Sequence, residues 1–229
     1  MSKAFPTEAR AVIIGGGIVG CSVAYHLAKL GWRDVVLLER KQLTCGTTWH
    51  AAGLVREVLG SFTLTRLARH TLEMLKTLEE ETGQATGLKQ NGSLGIATNE
   101  GRWEEHRRAA DLAKSCGVEV EILTPEQSRE LYPLLNIDDV LGAVYFPNDG
   151  QANPADATMA YAKGARMAGA QIFEDTKVSG ITTAKGRVTG VQTGRGDIKA
   201  EVVVNCAGMW AREVGLMCGV NVPLHACEH

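Results

Sequence analysis

The chain predicts an α/β fold built on a parallel sheet, and three adjoining features predict it. The run Ala11-Val12-Ile13-Ile14 is apolar and closes on Gly15-Gly16-Gly17; Ile18 to Leu30 carries good helix formers and stops at Gly31; Val35-Val36-Leu37-Leu38 is a second apolar run. Apolar runs without alternation read as strands covered on both faces, the usual burial of strands in a parallel sheet. A strand, helix and strand within about 30 residues make a parallel pair with a right-handed crossover.

The remaining elements follow in order. Leu43 to Gly53 is rich in Thr and Gly and reads as a loop. Thr63 to Thr82 is the clearest amphipathic helix, with Leu64, Leu67, Ala68, Thr71, Leu72, Leu75 and Leu78 expected to form its buried stripe. Glu100 to Ser115 is a second long helix. Its Arg102, Arg107, Arg108 and Lys114 interleave with Glu104, Glu105 and Asp111, the pattern of a solvated face and not of a basic patch. Thr124-Pro125-Glu126-Gln127 supplies a capping Thr, a first-turn Pro and a Gln that completes a capping box. Asn153-Pro154-Ala155-Asp156 repeats that logic before a helix running to about Ala168.

From Gln171 the pattern turns to β, with short runs at Val178 to Thr183, Arg187 to Thr193 and Ile198 to Val204. The parallel core is expected over 8–54 and 170–221, completed by Val202 to Gly208, with a helical and β region inserted at 55–169. Val222 to His229 reads as a strand opening a smaller mixed-β substrate domain, and the chain reads as a piece of a longer protein.

Composition narrows the function. A formal net charge of -2 over 229 residues points away from nucleic acid and polyanionic partners. No apolar run approaches the ~18 residues of a membrane span. Met1 to Arg10 reads as neither a secretory signal nor a transit peptide. Six cysteines without a CxxC pair suggest free thiols in a reducing compartment: the cytoplasm, or the mitochondrial matrix in a eukaryote.

Gly15-x-Gly17-x-x-Gly20 carries the chemistry. Gly15 permits a tight turn after the strand, Gly17 lets bare main chain approach a pyrophosphate, and Gly20 allows close helix–strand packing. The helix opening here aims free N–H groups and its positive dipole end at the phosphates. Glu39 stands 24 residues beyond Gly15, at the end of the second strand, where an acid binds ribose hydroxyls. The context makes the motif a Rossmann-like dinucleotide site. Glu39 disfavours NADP, Arg40 is either an offsetting or a solvated charge, and the motif alone does not choose between NAD and FAD.

The stretch Gly46-Thr47-Thr48-Trp49-His50-Ala51-Ala52-Gly53 is small apart from Trp49 and His50. Such a loop can lie against a planar ring. Thr47 and Thr48 can donate to phosphate or ribitol oxygens, and His50 offers a nucleophilic ring nitrogen. On spacing alone His50 fits a hydrogen-bonded structural histidine better, and Trp49 fits a core residue better.

The runs Ile13 to Gly20, Leu38-Glu39-Arg40 and Gly46 to Leu54 closely resemble the dimethylglycine and sarcosine dehydrogenases, within the wider D-amino-acid-oxidase-like flavoproteins. Asp149-Gly150-Gln151-Ala152-Asn153-Pro154 and Val204-Asn205-Cys206-Ala207-Gly208-Met209-Trp210 look like later motifs of the same family. The resemblance covers nearly the whole chain and is most specific at Thr-Trp-His-Ala-Ala-Gly. It implies FAD, bound by Gly15, Gly17, Ile18 and Gly20 at the turn and by Glu39 and Arg40 after the second strand. Gly46, Thr47, Thr48, Ala51, Gly53 and Leu54 follow from the loop. Val178 is implied at the adenine end through its backbone, with Ala207, Gly208 and Trp210 also at the cofactor.

It further implies a covalent bond from His50 to a methyl carbon on the flavin's benzenoid ring, which can raise the reduction potential. The implied reaction is oxidation of a small N-methylated amine, dimethylglycine or sarcosine, with hydride passing from the N-methyl group to flavin N5. An electron-transfer flavoprotein is the implied acceptor, and folate the partner of a carboxy-terminal domain that this chain does not contain. Open alternatives are another FAD-dependent amino-acid oxidase, a glycerol-3-phosphate dehydrogenase-like enzyme, an NAD-dependent dehydrogenase, and an inactive fragment.

Other polar groups carry less. His225, Cys227 and His229 would share one face of the last strand, but no fourth ligand completes a zinc site. There is no Gly-x-Ser-x-Gly elbow. His26 and His70 read as structural or exposed, and no catalytic base is assigned.

Overall fold

The computed structural model describes residues 4–227. In chain order the elements are β1 (Glu8–Ile14), α1 (Ile18–Lys29), β2 (Val35–Leu38), β3 (Leu54–Val55), α2 (Phe62–Thr82), β4 (Ser93–Ala97), α3 (Glu100–Ser115) and β5 (Glu121–Leu123). They continue as α4 (Pro125–Leu131), β6 (Gly142–Phe146), β7 (Gly150–Gln151), α5 (Pro154–Met167), β8 (Gln171–Phe173), β9 (Val178–Ala184), β10 (Arg187–Thr193), β11 (Ile198–Asn205) and α6 (Ala211–Leu216). The chain divides into two compact units: Met1–Ala52, Leu78–Thr86 and Pro154–His229 form one, Gly53–Thr77 and Gly87–Asn153 the other. The sequence division placed all of 55–169 in the insertion; in the structure Leu78–Thr86 and α5 belong to the first unit.

The first unit carries a six-stranded sheet in the order β8-β2-β1-β11-β10-β9. β1 pairs in parallel with both β2 and β11, so Ile13 lies beside Leu37 on one side and Val204 on the other. β8 joins β2 in parallel, while β10 and β9 continue antiparallel beyond β11. This is the mixed α/β architecture with a parallel core that the sequence predicts. Burial explains why: residues 11–14 and 35–38 are all buried, as central strands covered on both faces must be. α1 packs along α5, and Gly31, at φ +85°, follows the end of α1.

The second unit holds a three-stranded antiparallel sheet, β4-β6-β5, and the short pair β3–β7. Asp149 ties its segments together. Its Oδ1 accepts the Glu57 N–H at 2.7 Å, and its Oδ2 accepts the Ser93 hydroxyl at 2.5 Å. The capping box of α4 is present: Thr124 Oγ1 accepts the Gln127 N–H, and the Gln127 side chain accepts the Thr124 N–H.

Two expectations are corrected. The buried row of α2 is Thr65, Leu72, Leu75, Leu78 and Thr82, with Ala68 half-buried; Leu64, Leu67 and Thr71 are exposed. The periodicity was real, but it named two adjoining rows and only one is covered. The strand at Val222 to His229 does not form over 222–227, and residues 228–229 lie outside the described ones. The 222–227 segment pairs with no strand, and the Leu224 N–H turns back to the Val222 carbonyl at 2.8 Å. His225 and Cys227 therefore do not share a strand face, and His229 is outside the described residues.

Candidate functional site

The turn between β1 and α1 is made almost entirely of main chain. Gly15 sits at φ +114°, closed to most side chains, and its N–H donates to the Leu38 carbonyl at 2.9 Å. A Cβ on Gly15 would collide with the Cys206 carbonyl, and one on Gly20 would collide with the Gly15 carbonyl. The first and third glycines are thus fixed by backbone against backbone. The Gly16 N–H donates to Glu39 Oε2 at 2.7 Å, and the same carboxylate's Oε1 accepts the Lys41 N–H at 2.9 Å. Glu39 is only 8% exposed, so it braces the turn from behind as well as bordering the cleft. The Gly17 N–H has no acceptor among the described residues, and the first turn of α1 carries no acidic side chain.

These groups border an open cleft with an internal volume of about 280 Å³. Of the residues the sequence singled out, Gly15, Gly17, Glu39, Arg40, Gly46, Thr47, Thr48, Val178, Ala207, Gly208 and Trp210 line it. The Arg40 guanidinium stacks on the Trp210 ring at 3.9 Å from the centroid, forming one wall from two residues 170 positions apart. Ile18, Gly20, His50 and Ala51 do not line the cleft, and Gly53 and Leu54 belong to the second unit. Sequence reasoning missed Lys177 and Glu213 on the wall. Lys177 adjoins Val178 and could have been found from it; Glu213 carried no signal.

Two loop residues behave differently from the reading of their side chains. Thr48 is buried, and its Oγ1 accepts the Ile18 N–H at 3.1 Å, so it caps α1 from 30 residues away. Its hydroxyl proton and one lone pair are left to offer a ligand. His50 is exposed, with its ring over Trp49 at a centroid distance of 3.9 Å. Its Nδ1 lies 3.1 Å from the Gly46 carbonyl. A carbonyl can only accept, so Nδ1 carries a proton, and in the neutral ring the lone pair is on Nε2.

The thiols around the turn differ sharply in character. All six cysteines are free. Burial pushes the Cys21 thiol up to about 12, against a weaker opposing pull from Arg166, and burial also raises Cys206. A folded-state pKa above the unfolded one means the native chain holds its proton more tightly. The Cys21 contribution to stability is therefore complete below about pH 9 and lost as pH climbs toward about 12. At pH 8 a maleimide is expected to label exposed Cys45 and Cys227 quickly and Cys21 only in urea, with the urea midpoint falling from pH 8 to pH 10. Fast native labelling of Cys21, followed by peptide mass spectrometry, would contradict this burial.

Bare backbone at the start of a helix, with an unused N–H and no acidic side chain in the first helical turn, suits an anion such as a diphosphate. The fold and cleft thus define a protein of the Rossmann-like, dinucleotide-binding class. The chain belongs to the family described as FAD dependent oxidoreductase, which it matches over residues 10–229. It is 47% identical to the mitochondrial sarcosine dehydrogenase of Homo sapiens, over 100% of this chain and 26% of that protein. It is 43% identical to the mitochondrial dimethylglycine dehydrogenase of Rattus norvegicus, over 97% of this chain and 26% of that one. Among solved structures it is similar to L-proline dehydrogenase from P. horikoshii, with a TM-score of 0.88 and 33% identity over 94% of this chain and 57% of that chain. The chain spans about a quarter of the length of the curated relatives it matches. Among the described residues, no helix is long and apolar enough to cross a membrane.

Proposed function

We propose that this chain is the FAD-binding part of an enzyme that oxidises a small N-methylated amine of the sarcosine or dimethylglycine type. The observation that carries it is the main chain of Gly15 to Gly17 lining the cleft, backed by the Glu39 carboxylate, in a chain of the FAD-dependent oxidoreductase family. The identities to sarcosine and dimethylglycine dehydrogenases support the amine class. When bound, FAD would supply the hydride acceptor for the N-methyl group.

The chain's own residues do the holding. The Gly17 N–H and the start of α1 take the diphosphate, Glu39 takes the ribose, and Val178 borders the adenine end. Arg40 and Trp210 close the wall. In domain terms, residues 1–221 form the FAD-binding domain and 222–229 begin a substrate domain. An electron-transfer flavoprotein is the proposed acceptor, folate belongs to a carboxy-terminal domain, and the cytoplasm or mitochondrial matrix is the proposed location.

His50 is the proposed tether. With Nδ1 committed to the Gly46 carbonyl, Nε2 is the nitrogen free to bond carbon. His50 lies outside the cleft lining, so the ring to which it bonds would extend past Thr47 and Thr48 onto the exposed Trp49–His50 surface. Peptide mass spectrometry of the whole purified protein tests both parts. The peptide containing His50 should carry a flavin-sized increment that His50→Ala removes, and sarcosine or dimethylglycine should reduce the bound flavin. An unmodified peptide from yellow, active protein would refute the tether alone; colourless protein that takes up no FAD would refute the whole reading.

A further inference from the structure

In the second unit, the segment 89–93 is clamped against 146–151 on both sides of one dipeptide. Lys89 and Gln151 exchange both main-chain hydrogen bonds, at 2.8 and 3.0 Å. The Gln90 side chain donates to the Asn148 carbonyl at 2.8 Å, and the Gly92 N–H donates to the Asp149 carbonyl at 2.9 Å. Ser93 then enters β4 opposite Phe146 and gives its hydroxyl proton to Asp149 Oδ2. Asn91, between these contacts, is exposed, and its side chain has no partner among the described residues.

The pair Asn91-Gly92 is reactive by composition. Among the asparagines of the chain, only Asn91 precedes a glycine. A glycine nitrogen has no Cβ beside it, so it reaches the preceding side-chain carbon with the least obstruction. The fold nevertheless demands glycine at 92: the residue sits at φ +78°, and a side chain there would meet the Tyr145 ring. What restrains the reaction is the Asp149 carbonyl. Attack needs the Gly92 nitrogen to lose its proton and turn toward the Asn91 side chain, and the hydrogen bond to Asp149 holds both the proton and the direction.

We propose that Asn91 is the chain's site of spontaneous deamidation, restrained by the Gly92–Asp149 hydrogen bond and released whenever that contact opens. In the open state hydroxide takes the Gly92 N–H proton, and the nitrogen bonds to Cγ of Asn91. The Cγ–Nδ2 bond breaks, and the side-chain nitrogen takes a proton from water and leaves as ammonia. Water then opens the cyclic imide at either carbonyl, giving aspartate or isoaspartate; no oxidant or reductant takes part. Isoaspartate lengthens the main chain by one methylene between Lys89 and Ser93, both of which are fixed to the opposite segment. The clamp cannot re-form around it unchanged, so the product is a one-way mark of opening. The inference goes beyond the flavin reading, and every residue in it belongs to the second unit.

The test ages the 229-residue chain at pH 8, folded in buffer and unfolded in guanidinium chloride, and follows the peptide containing Asn91 by mass spectrometry. Exchange of the amide nitrogen for oxygen raises the peptide's mass by one unit, and enzymatic methylation of isoaspartate counts the rearranged product. In the unfolded chain the Asn91 peptide should convert faster than any other asparagine peptide. In the folded chain it should convert at least about tenfold more slowly, because only the opened fraction reacts. Asn91→Gln, whose ring closure needs one more atom, should lose the signal at this peptide and keep the fold, since position 91 is exposed. Unfolded chain rich in isoaspartate, once returned to buffer, should melt about 3 °C or more below fresh chain treated briefly in the same way. Asn91→Asp adds the charge without the methylene and should melt with the wild type. Equal rates in the folded and unfolded chain, a faster asparagine elsewhere in the unfolded chain, or an isoaspartate form with unchanged Tm would each overturn the proposal.

Discussion

Gly15→Ala is expected to lower stability by about 3 kcal/mol and to weaken FAD binding by at least about a hundredfold. Two costs combine. Alanine at φ +114° pays for a backbone region that side chains rarely occupy. Its methyl group would also meet the Cys206 main-chain carbonyl, which cannot rotate aside as a side chain can. Relief requires the turn to move away from the end of β11, and that turn presents the Gly17 N–H to the cleft. For a chain of this size the stability loss corresponds to a fall of about 6–12 °C in Tm. Thermal unfolding with and without FAD separates the two costs. A variant that keeps both its Tm and its flavin would show that the turn is not shaped by this contact.

How legible each part was depends on how far the deciding interaction lies along the chain. The β1–α1–β2 unit was readable because a strand buried on both faces writes its burial into consecutive residues, and the helix start and stop are local. β9, β10 and β11 were readable from β-rich runs divided by glycine turns. The sheet β4-β6-β5 was not. Its strands are three to five residues long, β4 contains Gly95, and each partner arrives from a distant segment. Asp149 stood in a stretch matched by resemblance, yet nothing nearby in sequence foretold that it would hold Glu57 and Ser93.

The cleft shows the same division. The glycine motif and Glu39 were found as a pattern, but the pattern assigned each residue a single duty toward a ligand. In the structure several face the protein as well. Thr48 caps α1 across 30 residues, a distance at which capping signals cannot be recognised in sequence. Arg40 and Trp210 make one wall only after β11 is placed beside β1. His50 was singled out by resemblance, whereas its contact with the Gly46 carbonyl appears only in three dimensions.

Glu39→Gln is expected to do nearly as much damage as the glycine change, although it keeps the shape of the side chain. The carboxylate is acceptor-only, and both oxygens face donors: the Gly16 N–H at 2.7 Å and the Lys41 N–H at 2.9 Å. Glutamine supplies one oxygen and one NH2 group, so one way round the buried Gly16 N–H meets another N–H, and the other way round the part-buried Lys41 N–H does. Losing one charge-assisted bond and leaving a buried donor unpaired costs about 2–3 kcal/mol. If Gly16 loses the bond, the turn is no longer pinned from behind; if Lys41 loses it, the segment leading to the Gly46–Thr48 wall loosens. Either way FAD binding should weaken by at least about tenfold, because the proposed ribose contact would also lose its charged acceptor. Urea unfolding of the FAD-free chain isolates the brace, and FAD titration measures brace and ribose contact together. Unchanged stability combined with weaker FAD binding would mean that Glu39 serves the ligand alone, and that the turn keeps its shape without help.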